Sequence, residues 1–287
     1  MTLLVAKQTL SQQELTEIRE LVELCNEFEG IQLKMNWDNL ETRKGNQTDD
    51  FLYYEDGRLI GYFALFAFQS TEAEMIAAVH PDARRKGIFR HLLDAALQQM
   101  RQRNIPKLLF VVDSKSASAT AVAKHLGATY AHSEYRMELE TVQAQPKRHP
   151  NLSVRRGAVE DANFISDVTA DAFGYPKRPP HDAEYFAHPT RRIYIFEADG
   201  ERVGTLFTIL FSNDSRSAIY GFCIQKSAQG KGYGRQVLSE VVQELLADGF
   251  QSVELEVACE NKRALGLYQS VGFEEIGAID YYALPVL

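Results

Sequence analysis

Residues 228–243 read AQGKGYGRQVLSEVVQ, and residues 83–98 read ARRKGIFRHLLDAALQ. The two stretches align without a gap at an offset of 145 positions (228 − 83), with Ala228/Ala83, Lys231/Lys86, Gly232/Gly87, Arg235/Arg90, Leu238/Leu93 and Gln243/Gln98 identical. In each, a short loop opens onto apolar residues at helical spacing: Val237, Leu238, Val241, Val242, Leu245 and Leu246 in one, Leu92, Leu93, Ala96, Leu97 and Met100 in the other. The same offset aligns Val257/Val112, Ala264/Ala119 and Gly272/Gly127. A register held over this length, in hydrophobic pattern as well as identity, predicts a duplicated domain.

Working outward, both copies carry the same order of elements. Each begins with a helical region, SQQELTEIRELVELCNEF (11–28) or VEDANFISDVTADAF (159–173). A hairpin turning on Asp56-Gly57 or Asp199-Gly200 follows, the dipeptide suited to a type I′ turn. A further strand (EMIAAV or AIYGFCI) leads into the glycine-bearing loop and helix. After it come a buried-looking strand, KLLFVV or SVELEV, and a second helix ending at Gly127 or Gly272. Between the copies lies TVQAQPKRHPNL (141–152), whose Pro146 and Pro150 suit a linker. The expected architecture is α/β: two tandem domains, 1–145 and 150–287, each a mixed, mostly antiparallel sheet flanked by helices.

Composition narrows the partners. The 287 residues are 45% hydrophobic and 24% charged, as in an ordinary globular chain, with a net charge of −8. That charge argues against nucleic acid or an anionic membrane as the main partner and suits a cationic substrate. Cys25, Cys223 and Cys259 form no CxxC pair and are odd in number, which points to a reducing, cytoplasmic setting. MTLLVAKQTL lacks the basic start of a signal peptide, and the longest apolar run, YFALFAF (62–68), cannot span a bilayer. The seven histidines show no paired-ligand spacing, so no metal is expected.

Glycine-rich turns from strand to helix bind phosphates. Their amides have no intrahelical partner, and the helix dipole favours an anion there. QGKGYG (229–234) fails the Walker A pattern, because Gly232 rather than Ser or Thr follows Lys231. It also fails GxGxxG, because Val237 stands at the third glycine position. Gln229, Gly230, Lys231, Gly232, Tyr233 and Gly234 do resemble the Q/R-x-x-G-x-G/A loop of the GNAT superfamily of acetyl-CoA-dependent N-acetyltransferases. LEVACENKRALGLYQSVGF (255–273) resembles the run that follows that loop in the family. The likeness covers the whole second copy and, more faintly, the first.

The resemblance implies acetyl transfer from coenzyme A to an amine, with the loop and Arg235 holding the pyrophosphate. It assigns Tyr268 as the acid facing the sulfur and Glu256 as the base, as in the alanine N-acetyltransferases of ribosomal proteins. The backbone of Cys223 and Ile224 would serve the pantetheine arm and the acetyl oxygen. Asn261 would position the cofactor, although asparagine there is equally a helix N-cap. Lys262 and Arg263 could reach a phosphate, and Cys259 reads as a small buried hydrophobe. For the residues alone, Tyr268 as a packed tyrosine and Glu254 with Glu256 on a solvated strand face remain open.

At the same offset Glu256 falls on Val111, Tyr268 on Ala123, Asn261 on Ser116 and Gly234 on Phe89. The first copy therefore reads as degenerate, either a partner to the second or an enzyme using Glu72 or Glu74. The acceptor is a small-molecule amine or a peptide N-terminus; Tyr281 and Tyr282 of the DYY stretch (280–282) resemble the tyrosine pair of peptide α-amine acetyltransferases. The rival reading is a sensor that binds acetyl-CoA without turnover.

Overall fold

The computed structural model describes residues 2–143, 148–174, 176–211 and 215–286. Pro146 of the expected linker lies outside them. The strands are β1 (Thr2–Lys7), β2 (Asp50–Glu55), β3 (Arg58–Phe66), β4 (Ala73–Val79), β5 (Lys107–Asp113), β6 (Thr129–Leu139), β7 (Leu152–Arg156), β8 (Arg191–Ala198), β9 (Glu201–Phe211), β10 (Arg216–Ile224), β11 (Ser252–Ala258) and β12 (Phe273–Pro285). The helices are α1 (Gln12–Glu29), α2 (Trp37–Glu41), α3 (Ile88–Gln102), α4 (Ala117–His125), α5 (Ala162–Phe173), α6 (Ala183–Ala187), α7 (Tyr233–Ala247) and α8 (Lys262–Val271). Among the described residues no helix is long and apolar enough to cross a membrane.

Contacts divide the chain into two compact units. Unit 1 comprises Met1–Ser133 with Ala278–Leu287, and unit 2 comprises Glu134–Gly277. These units differ from the expected segments 1–145 and 150–287, and the reason is strand pairing. In unit 1 the order β1-β2-β3-β4-β5 is extended by Ile279–Pro285 of β12, antiparallel to Lys107–Asp113. In unit 2 the order β7-β8-β9-β10-β11 is extended by Glu134–Glu138 of β6, antiparallel to Glu254–Ala258. Each unit thus takes its sixth strand from the sequence of the other copy. Within each, β4–β5 and β10–β11 are parallel and the other described pairings antiparallel, giving the mixed, mostly antiparallel sheet expected.

Local chemistry explains the elements. Asp56 and Gly57, and again Asp199 and Gly200, all take positive φ (49°, 81°, 53° and 82°), as a type I′ turn requires. Ser11 caps α1 in a reciprocal box with Glu14, an arrangement worth about 1 kcal/mol. In unit 1, Leu15, Ile18, Leu21 and Val22 of α1 pack on one sheet face, and Leu92, Leu93, Ala96 and Met100 of α3 on the other. In unit 2, Val237, Leu238, Val241 and Val242 of α7 join Leu265 and Tyr268 of α8 on one face, while Ile165 of α5 meets Ile193, Ile195 and Phe207 on the other.

Tyr281 and Tyr282 belong to unit 1. Successive strand residues point to opposite faces. Tyr281 therefore joins the α1 side and Tyr282 the α3 side, both buried. Lys34 Nζ donates to the Tyr281 hydroxyl at 2.9 Å.

Candidate active site

In unit 2 the parallel pairing of β10 with β11 runs only from Arg216/Ser252 to Ile219/Leu255. Beyond it, Tyr220–Ile224 and Glu256–Ala258 part. The pairing of β10 with β9 breaks at the same level, between Tyr220 and Cys223. Gly221 makes this bulge possible: its φ is 57°, and a Cβ there would lie 2.6 Å from Phe207 Cδ2. Only glycine meets both conditions without strain.

The strand then ends at Ile224, and a single 3-10 turn (Lys226–Ala228) leads to the loop. From Gly230 to Arg235 six consecutive amides donate to no described group. They precede and open α7, whose dipole reinforces them, so the loop has the backbone geometry that holds a phosphate. Gly230 and Gly232 take φ of 79° and 82°. Gln229 is exposed but tied at both ends: its Nε2 donates to the Ile224 carbonyl at 2.8 Å, and its Oε1 accepts from Arg263 Nη1 at 3.0 Å. It is a strut for the loop. Lys231 is exposed, its Nζ 5.8 Å from the centre of the Tyr233 ring. Arg235 is half-buried, and its Nε has no hydrogen-bond partner among the described residues. Gly234 lets α8 approach, since a Cβ there would meet Leu267 Cδ2 at 3.1 Å. A cavity of about 480 Å³ flanks the loop, lined by Phe164, Arg202, Gln225, Ser227, Lys231 and Tyr233, with Asp199 and Glu201 at its hairpin rim.

Tyr268 packs beside this opening. Its ring centre is 6.5 Å from that of Phe222, just past the bulge, and 6.2 Å from that of Phe273. Its hydroxyl makes no hydrogen bond to a described group, and burial pushes the phenol up to about 12. Val253, Leu255 and Val257 share its side of the sheet. Strand alternation therefore sends Glu254 and Glu256 to the opposite face. Glu256 is exposed and stands opposite Arg136 of β6; Glu254 accepts from Arg216 Nη1 at 3.2 Å. The candidate acid and base thus flank the parting from the two faces of the sheet.

The remaining expected residues fall as follows. Asn261 Oδ1 accepts from the Ala264 amide at 3.1 Å, which makes it the N-cap of α8. Cys223 is buried, and burial pushes its thiol up to about 12. Cys259 is half-buried rather than fully buried, its thiol likewise raised, by burial first.

Sequence reasoning missed an aromatic wall on the Glu256 face. Tyr185 of α6 and Tyr220 place their hydroxyls 3.4 Å apart, and His181 stacks on Tyr185 at 3.5 Å between ring centres. Burial, then Arg191 and Arg178, lower the His181 pKa. Nothing in residues 174–190 has a periodicity that would have announced these contacts. Gly221 did carry a signal, a glycine inside a strand pattern, which marks bulges.

Unit 1 repeats the loop with different chemistry. Arg85 takes φ of 64° where unit 2 has Gly230, and Gly87 takes 83°. The amides of Arg85–Arg90 also donate to no described group. However, β4 pairs with β3 in unbroken register from Phe66/Glu74 to Gly61/Val79, without a bulge. Val111 and Ala123 are buried core residues at the positions of Glu256 and Tyr268. Glu72 is paired with Lys107 at 2.5 Å, at the end of β4 away from the loop.

A family model described as the acetyltransferase (GNAT) family matches residues 15–128 and again 162–273. The chain belongs to the GNAT acetyltransferase family. The two matches correspond to the two copies of the repeat. The chain is 26% identical to a mycothiol acetyltransferase of Actinosynnema mirum over 96% of its length and 97% of the relative's. A second mycothiol acetyltransferase, from Thermomonospora curvata, is 25% identical over 98% and 97%. Among solved structures, a GCN5-related N-acetyltransferase from Sphaerobacter thermophilus superposes with a TM-score of 0.79 at 19% identity, covering 99% of this chain and 96% of that one. A tandem GNAT protein from the clavulanic acid biosynthesis pathway gives 0.75 at 17% identity, covering 100% and 99%. These similarities establish the tandem GNAT fold and an acetyltransferase. The family uses acetyl-CoA as co-substrate, and the free amides of Gly230–Arg235 beside the half-buried Arg235 fit its diphosphate.

Proposed function

We propose that unit 2 transfers the acetyl group of acetyl-CoA directly to an amine, and that unit 1 has no catalytic part. The observation that carries this reading is the Gly221 bulge on β10, which lies just past the last β10–β11 pair and ahead of a row of free amides; β4, whose pairing with β5 also ends early, has no such bulge. Bound acetyl-CoA would supply the activated thioester. The amides of residues 230–235, with Lys231 and Arg235, hold its diphosphate. The backbone of Cys223 and Ile224, past the bulge, orients the arm and the acetyl carbonyl.

Glu256, on the opposite face, takes the proton that a protonated amine must lose before it can attack. Tyr268, held neutral by burial, donates to the sulfur as it leaves. The acceptor approaches over Glu256, Tyr220 and Tyr185. This face carries Glu254 and Glu256 on β11 and Glu138 on β6, with Arg136 and Arg216 among them; Glu256, just past the last β10–β11 pair, is the carboxylate that would meet a cationic amine, small or at a peptide terminus.

The test is release of free thiol from acetyl-CoA by the full chain across a panel of small amines and short peptides. Turnover with an amine that scales with enzyme supports the reading. Absence of both calorimetric coenzyme A binding and turnover across the panel overturns it.

A further inference from the structure

In unit 1 the groove between the parted ends of β4 and β5 is filled by the end of α1. Pairing of these strands stops at Met75/Phe110, so Ile76–Val79 and Val111–Asp113 diverge as their counterparts do in unit 2. Across the gap stands Glu29. Arg84, at the position of Gln229, pairs with it at 2.5 Å (Nη1 to Oε1). Ser116, at the position of Asn261, donates to it at 2.7 Å, and Ser118, at the position of Arg263, donates at 2.9 and 3.0 Å.

The strand end is occupied as well. The Val79 carbonyl, equivalent to that of Ile224, accepts from Arg84 Nε at 3.1 Å and from the Cys25 thiol at 3.4 Å. Arg84 lies over the Phe28 ring, 5.3 Å from its centre, and the Gln32 amide donates to Asp113 Oδ2 at 3.1 Å. Four residues of one short segment thus span from the loop side to the α4 side.

Unit 2 lacks this plug. There, among the described residues, the polar tie between the loop and the start of α8 is Gln229 with Arg263, both exposed side chains that a ligand can part, and Gln229 is also the donor to the Ile224 carbonyl. The end of α5 reaches the loop side through an exposed pair, Asp171 with Lys226 at 3.1 Å.

We infer that Glu29 is an internal latch that closes a latent second coenzyme A site in unit 1, so that the intact chain binds one equivalent of cofactor, in unit 2. The backbone of the unit 1 loop is still built for an anion, with free amides from Arg85 to Arg90 and the cations Arg85, Lys86 and Arg90 on it. What the unit 1 groove lacks is room for the arm, because a carboxylate tied to three partners stands in it. The inference rests on reading unit 2 as the cofactor site.

Calorimetric titration of coenzyme A into the full chain tests it. The wild type is expected to bind one equivalent, and Gly232→Asp, which places a carboxylate among the unit 2 amides, to lose that equivalent. Glu29→Ala is expected to raise the stoichiometry from one to two. Arg84→Gln, which removes the latch's charged partner and installs the unit 2 residue, provides a second variant if Glu29→Ala does not fold. Two equivalents in the wild type, or one in both folded latch variants, overturns the latch. Binding that survives Gly232→Asp in a wild type of stoichiometry one places the site elsewhere and overturns it too. No binding to the wild type but one equivalent to Glu29→Ala keeps the latch and refutes the reading of unit 2; no binding to either refutes both.

Discussion

Replacing Tyr268 by Phe removes one oxygen and nothing else from the proposed acid. The ring would keep its contacts with Phe222 and Phe273, and the hydroxyl has no described partner to abandon. Stability should therefore hold or rise slightly, since a partly buried hydroxyl without a partner stabilises nothing. The chemistry is different. Burial sets the phenol at about 12, which is roughly 3.5 pK units above an ordinary thiol at about 8.5. Full proton transfer to a departing thiolate would be uphill by about 5 kcal/mol. Tyr268 thus acts mainly by donating a hydrogen bond to a sulfur that becomes charged, an interaction worth about 1.5–3 kcal/mol. That predicts a fall in kcat of roughly 10- to 150-fold. Coenzyme A affinity should stay within about twofold, because the bond strengthens only as the sulfur leaves. Steady-state thiol release, calorimetry and thermal unfolding of the same preparation separate these effects. A variant with kcat within twofold of wild type would show that Tyr268 is a packing residue.

Three further outcomes follow from the same geometry. Glu256→Gln keeps the shape of the exposed side chain but not its basicity, and should lower kcat/KM by roughly 10²- to 10⁴-fold with unchanged calorimetric coenzyme A affinity. Gly221→Ile installs the residue found at position 76 (221 − 145); the left-handed φ costs about 1–2 kcal/mol and the Phe207 contact adds to it, so a Tm lowered by about 2 °C or more and loss of turnover are expected in a thermal melt and a rate assay. Asp161 accepts from Arg155 at 2.7 and 2.9 Å and from Arg202 at 3.2 Å, and Arg155 above all holds its carboxyl down to about 2. A depressed folded pKa stabilises above the unfolded value, about 3.9, and that stabilisation is lost as pH falls through the folded value. Asp161→Asn should therefore lower the Tm by about 4 °C at pH 7, and the gap from wild type should close between about pH 4 and pH 2.

Much of this molecule is legible from local pattern. The Asp-Gly turns, the helical spacing of Val237 to Leu246 and the order of elements in each copy depend on neighbours a few residues apart, and the structure keeps them. The loop at 229–234 and the run at 255–273 are likewise contiguous, so the family is readable from the sequence. That the first copy carries Val111 and Ala123 where the second has Glu256 and Tyr268 was visible as well, because the offset of 145 compares residue with residue.

What the sequence left open are contacts between residues far apart in the chain. Asp280, Tyr281 and Tyr282 read as part of the second copy but pair with β5, because an edge strand is claimed by whichever sheet offers it a matching register. Glu29 shows no motif at all; its meaning comes from Arg84, Ser116 and Ser118, 55, 87 and 89 positions away (84, 116 and 118 minus 29). The Tyr185–Tyr220 wall and the struts of Gln229 are of the same kind. Sequence by itself determined the duplication, the α/β order and the glycine-rich loop, since these are set by short-range backbone preference and side-chain period. Only the tertiary structure decided which sheet each last strand completes, which face Glu256 occupies, and that one groove is open while the other is closed by its own helix, because each of those depends on non-local pairing and packing.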